Sequence, residues 1–130
     1  MKRILTLALA SALALPALAH AEKGSPLWLR HQQISPDGSQ IAFCYKGDIY
    51  TVPTAGGQAL RLTSNAAYDG TPIWSPDSRS LAFSSDREGS KDVYIVKADG
   101  SGLRRLTYNS EKELPVAFLD DNTLLFQSYI

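Results

Sequence analysis

Cysteine and histidine are nearly missing from this chain: Cys44, His20 and His31 are the only ones among 130 residues. A lone cysteine makes no internal disulfide, and one Cys with His at unrelated positions is not a clustered zinc ligand set. An excess of one charge is missing too, since 13 Lys and Arg face 13 Asp and Glu. With Arg104-Arg105 the only basic pair beyond Lys2-Arg3, no basic stripe exists for a nucleic-acid partner. Long hydrophobic runs are also lacking. The longest, Ile4 to Leu15, has about 12 apolar residues where a membrane span needs roughly 20.

That short run has another reading. Lys2 and Arg3 precede it, Pro16 ends it, and Ala17-Leu18-Ala19 and Ala19-His20-Ala21 offer small-x-small cleavage sites. This is the pattern of a secretory signal peptide over residues 1–21. The expectation is an exported product, periplasmic or secreted. No cysteine stands at the cleavage region to carry a lipid, so no membrane association is expected after cleavage. Cleavage after Ala21 leaves 11 basic against 13 acidic residues.

What the remaining chain has is a sentence written twice. "ISPDGSQIAFCYKGDIYTVPTAGG" from Ile34 returns as "WSPDSRSLAFSSDREGSKDVYIVKADGSG" from Trp74. Ser35 and Ser75 lie 40 residues apart, whereas Thr63 and Thr107 lie 44 apart. The difference is one insertion in "SDREGSK", placed in a loop because loops tolerate insertions. A third copy starts near Pro115, where "FLDDNTLLFQS" sets Asp121 on Asp77 and Phe126 on Phe83. Each unit holds four short apolar runs, too short for helices and rich in β-formers. They are Gln33–Ser35, Gln40–Tyr45, Asp48–Val52 and Ala59–Thr63, then Thr71–Ser75, Ser80–Ser85, Asp92–Lys97 and Leu103–Thr107.

Turn chemistry separates the runs. Pro36 and Pro76 preset φ, Asp37, Asp77 and Asp99 bond nearby backbone, and Gly38 and Gly100 accept a left-handed conformation. Four antiparallel strands per unit of about 40 residues is the content of a β-propeller blade. Ile41-Ala42-Phe43 and Leu81-Ala82-Phe83 are apolar on both sides, small one way and bulky the other, as a sheet between two sheets requires. The expected fold is all-β: blade 1 about 27–66, blade 2 about 67–110 and the start of a third about 111–130, together a partial propeller over 22–130. A solenoid of stacked β units is the alternative, but its repeats are shorter and parallel. Two and a half blades do not close a ring of about 4 to 8. A larger protein, a truncated gene model or a homo-oligomer could each account for that.

No catalytic site is expected within these residues. Ser35 and Ser75 are turn residues, no G-x-S-x-G elbow occurs, and His31 is the one histidine after cleavage. Asp120-Asp121-Asn122 lacks the ligand spacing of a calcium loop, and Gly56-Gly57 and Asp99 to Gly102 precede no Lys-Ser/Thr and no helix, as a phosphate loop would. No metal and no cofactor are expected. Cys44 reads as a buried small hydrophobe, Asp48 and Asp92 as carboxylates pinning their strands by local side-chain to backbone bonds, and Tyr50 and Tyr94 as blade packing.

The wording "SPDG-x-x-IAF" and "LAFSSDREG-x-x-DVYIV-x-ADGSG-x-x-RLT" resembles the repeats of TolB-type proteins, dipeptidyl and prolyl peptidases, and tricorn-type proteases. "ISPDGSQIAFCYKGDIYTVPTAGG", "AYDGTPIWSPD" and "RLTYNSEKELPVAF" are most similar to secreted tricorn-like serine peptidases, over about Leu27 to Phe118. The resemblance implies an N-terminal propeller that filters or channels peptides or unfolded protein to a serine nucleophile elsewhere. None of that family's catalytic positions lies here. The alternative it implies is a non-enzymatic TolB-type propeller binding a protein partner. Ser78, where Gly is common, and Asn109, where His is expected, depart from the pattern.

Overall fold

The computed structural model describes residues 28–129, so the expected signal peptide lies outside the described residues. Blade 1 consists of β1 (Arg30–Ile34), β2 (Gln40–Tyr45), β3 (Asp48–Pro53) and β4 (Leu60–Arg61). Blade 2 consists of β5 (Asp69–Trp74), β6 (Ser80–Glu88), β7 (Ser90–Lys97) and β8 (Arg104–Arg105). Each is an antiparallel sheet in sequence order, and β9 (Glu113–Asp120) with β10 (Thr123–Ser128) makes a third, two-stranded sheet. This is the all-β partial propeller expected from the repeat. The first strands β1, β5 and β9 lie side by side, so the sheets fan outward from a common inner edge.

Several element bounds differ from expectation for physical reasons. The first strands begin earlier, at Arg30 and Asp69, and each carries a bulge, at His31 (φ +55°) and Thr71 (φ +51°). A bulge breaks the two-residue alternation that marks a strand in sequence. The fourth strands shrink to two residues because Thr63 and Thr107 use their Oγ1 atoms, not their backbone, to accept the N–H of Ile49 and Val93 at 3.0 and 2.9 Å. The insertion "SDREGSK" is not a loop: it lengthens the hairpin as strand, with β6 and β7 running to either side of Gly89.

The small and bulky sides of the blades interlock. Ala42, Cys44 and Ile49 of blade 1 join Leu81, Phe83, Tyr94 and Val96 of blade 2 in one buried cluster. Phe83 stacks on Tyr94 at 5.9 Å between centroids, and each such fully buried side chain is worth about 1.5–3 kcal/mol. Trp74 crosses the seam, its Nε1–H donating to the Gln33 carbonyl at 3.1 Å. Cys44 is buried, and its S–H donates to the Asp69 carbonyl at 3.0 Å. Burial pushes its thiol pKa up, which makes it an inert core residue at neutral pH.

Asp48 and Asp92 do pin strands, but not by local bonds. Arg61 reaches Asp48 Oδ2 at 2.6 Å and Arg105 reaches Asp92 Oδ2 at 2.7 Å, tying the start of the third strand to the fourth. The same arginines donate their Nε–H to the carbonyls of Thr63 and Thr107. The repeated "RLT" is thus a clamp on the repeated Asp. The sequence separation of 13 residues hid this from a local reading.

Candidate functional site

The two ends of the blades are built differently, and the turn residues singled out above all gather at one of them. Asp37 Oδ1 accepts from Ser35 Oγ at 2.6 Å and from the Ser39 N–H at 3.0 Å. Asp77 Oδ1 does the same with Ser75 Oγ and the Arg79 N–H. Asp99 Oδ1 accepts from Ser101 Oγ and N–H. Pro36 and Pro76 lead these turns, Gly38 and Gly100 sit at φ +74° and +86°, and the Gly38 N–H returns to the Ser35 carbonyl at 2.8 Å. In the third sheet the Asn122 N–H donates to Asp120, not Asp121. Asp120 therefore takes the place of Asp77, one residue earlier than the sequence alignment set it, because the third turn has Asp at both positions.

That shift exposes a device between blades. The Asp37 N–H donates to Ser78 Oγ at 3.1 Å, and the Asp77 N–H donates to Asp121 Oδ1 at 2.9 Å. Ser78 holds φ +60° to do so, so its departure from Gly contributes a seam bond as well as turn strain. Ser78→Ala keeps the strain and loses the acceptor, and is expected to cost about 1–2 kcal/mol. Ser78→Gly loses the bond but relieves the strain and should cost less than half as much. Urea denaturation of the two variants checks the order.

The turn carboxylates also set the acid response. Bonds from Ser35 and then Ser39 hold Asp37 at about 2, and Asp77, Asp99 and Asp120 are lowered by like bonds, chiefly from Ser75, Ser101 and Asn122. Stability from a lowered carboxylate is present above its unfolded value near 3.8 and disappears as pH falls through the folded value. Burial raises Asp92, which has the opposite sign, since its protonation relieves a desolvated charge. Between pH 5 and pH 2.5 the turn carboxylates therefore lower the urea midpoint while Asp92 opposes them, and Asp37→Asn should lose less of its midpoint over that interval than the unchanged protein. An equal loss in the two contradicts this.

At the opposite end the starts of the first strands surround an open pocket of about 420 Å³. Arg30 and His31 reach it from β1, Thr71 from β5, Ser84 from β6, Lys91 from β7 and Lys112 from the approach to β9. Among the described residues Arg30, Lys91 and Lys112 make no ion pair. Lys91 lies 5.1 Å from the centroid of the Tyr68 ring and Lys112 4.7 Å from that of Tyr129. Thr71 Oγ1 and Ser84 Oγ share a 3.1 Å bond at the wall. Three unpaired cations, a histidine and hydroxyls on an inner-edge pocket attract and orient a carboxylate or other compact anion. The sequence had scattered these cations across three repeats, and only the fan of first strands brings them together.

Beneath this end lies Asp69, fully buried and bound by Arg87 through both carboxylate oxygens at 3.1 Å. Arg87 comes from the lengthened hairpin and packs over Tyr94 at 4.4 Å. Blade 1, with the short Lys46-Gly47 turn, has Leu29 where blade 2 has Asp69. Blade 2 has both the insertion and the buried acid, and blade 1 has neither.

A fan of four-stranded antiparallel sheets meeting at an inner edge is a β-propeller segment. Residues 26–129 match the family described as the tricorn protease N-terminal β-propeller domain, and the chain belongs to that family. It is 30% identical over 87 residues to tricorn protease homolog 1 of Streptomyces coelicolor, covering 67% of this chain and 8% of that protein. Among solved structures it resembles one described as TolB from Agrobacterium tumefaciens, with TM-score 0.71, 28% identity, and 82% of this chain and 40% of that one covered. The tricorn protease crystal structure superposes with TM-score 0.61 at 17% identity over 77% of this chain and 11% of that one, a likeness of fold. The chain spans well under two thirds of each of these relatives.

Proposed function

We propose that these residues are the N-terminal propeller segment of an exported tricorn-like serine peptidase, and that they filter or guide peptide substrates to a catalytic core outside residues 1–130. The observation that carries the reading is the family match, which spans all the described residues. The unpaired cations at the inner edge support it, because a peptide presents carboxylates to them. Export follows from the signal-like segment of residues 1–21.

A peptide with a free C-terminal carboxylate should bind the chain more tightly than its amidated form, and the preference should shrink as salt rises. Combining Arg30→Ala with Lys112→Ala should weaken binding about fivefold, the scale of exposed charge contacts. Calorimetry with the peptide pair decides. Equal affinity for both forms, at low and high salt, would sink the proposed role of the pocket. The TolB likeness favours a second reading, a propeller that binds a folded protein partner and leaves peptides alone. Under that reading neither peptide binds.

A further inference from the structure

The cationic pocket at the inner edge has a smaller neighbour of about 300 Å³. Arg30 and Tyr68 line both, so the two cavities share a wall. Trp28, Cys44, Lys46 and Gly47 complete the smaller one. Lys46 stands in the turn between β2 and β3, exposed and at φ +51°, and among the described residues it makes no ion pair. Among the described residues no carboxylate lines either cavity, and Asp69 beneath them is already neutralised by Arg87. Arg30, Lys46, Lys91 and Lys112 therefore face this end together, more positive charge than one ligand carboxylate answers.

The shared wall is held in place from several sides. The Tyr68 N–H donates to Asp86 Oδ1 at 2.8 Å, and the Tyr68 ring lies so close to Gly70 that a Cβ there would come within 2.9 Å of it. The Asp69 N–H donates to the Gly47 carbonyl at 2.8 Å, which ties the Lys46-Gly47 turn to the same stretch of blade 2. On the other side the Arg30 guanidinium lies 5.8 Å from the centroid of the Trp28 ring. Burial first, and then the Cys44 thiol beside it, hold the Tyr68 hydroxyl above its usual pKa, so it remains an O–H donor at neutral pH. A guanidinium and a phenol on one wall supply charge-assisted donors to a carboxylate.

We propose that the smaller cavity takes the acidic side chain of a peptide's last residue, so that the ligand these residues prefer is a peptide ending in Glu or Asp. The inference rests on the reading that the larger pocket holds the terminal α-carboxylate. Two cavities with a common wall call for two anionic groups a short distance apart, and a terminal acidic residue carries both on one methylene stem. Arg30 faces the two carboxylates from the wall, Lys46 answers the side chain, and the Trp28 and Tyr68 rings flank the stem. Gln has nearly the shape of Glu without its charge, and an apolar last residue would fill the cavity and leave Lys46 unanswered.

The test measures binding of fluorescein-labelled pentapeptides to the full chain by anisotropy, the probes differing only in their last residue, Glu or Gln, and in a free or amidated C-terminus. The free-acid Glu peptide should bind about fivefold tighter than the free-acid Gln peptide, the scale of one exposed charge contact. Lys46→Gln should bring those two within twofold of each other, and Lys46→Arg should restore the difference. Free acids preferred over amides, with Glu and Gln alike, overturn the inference and leave the reading of the larger pocket standing. A preference for Glu that survives Lys46→Gln also overturns it, because the side chain then sits elsewhere. Free and amidated peptides that bind alike would defeat the larger pocket's role, and the pairing of the two cavities with it.

Discussion

Replacing Arg87 with alanine is expected to destabilise the fold by about 3–5 kcal/mol, because it strands the buried Asp69 carboxylate without its cation. Asp69 is fully buried and Arg87 is 16% exposed, so water cannot take over the solvation that the guanidinium supplies. At a urea slope of about 2 kcal/mol/M the midpoint should drop by roughly 2 M. The same substitution at Arg61, whose side chain is 46% exposed against Asp48, should cost less, since water reaches that pair and screens it. The double variant Asp69→Asn with Arg87→Met removes both charges and should recover much of the loss. A midpoint unchanged in Arg87→Ala would mean that the ion pair does not hold the lengthened hairpin.

Phe83→Ala should cost about 3–5 kcal/mol, the cost of emptying a large fully buried site. Phe83 has no exposed surface, packs on Tyr94 and lies in the cluster that joins the two blades. Phe43 occupies the same place in the repeat on the open face of blade 1. Phe43→Ala in residues 1–130 should therefore cost less than about 1.5 kcal/mol, since little area returns to water. The pair of variants separates repeat position from burial. Equal costs would show that the face of Phe43 is already covered.

The repeat made the fold legible because its turns carry their own instructions. Ser-Pro-Asp at 35–37 and 75–77 marks a hairpin by φ and by hydrogen-bond capacity, and Ala42 and Ala82 between bulky neighbours mark a sheet packed on both sides. What stayed hidden depends on partners far away in sequence. The bulges at His31 and Thr71 break the alternation that would have extended the first strands. The Asp48–Arg61 and Asp92–Arg105 clamps join residues 13 apart. Asp121 misled because two aspartates stand at the third turn, and only the bond from Asn122 to Asp120 distinguishes them. The candidate site was the least legible part. Arg30, Lys91 and Lys112 have no common motif, and their shared pocket exists only because β1, β5 and β9 lie side by side.

The most direct measurement is hydrogen exchange of the chain with and without a short unstructured peptide bearing a free C-terminal carboxylate, read by mass spectrometry that also reports the state of the peptide. A propeller that guides peptides predicts slowed exchange confined to the starts of β1, β5 and β9 and the segment around Lys91, with the peptide recovered intact. Protection at the Asp37, Asp77 and Asp99 turn end, or cleavage of the peptide by these residues alone, would contradict it.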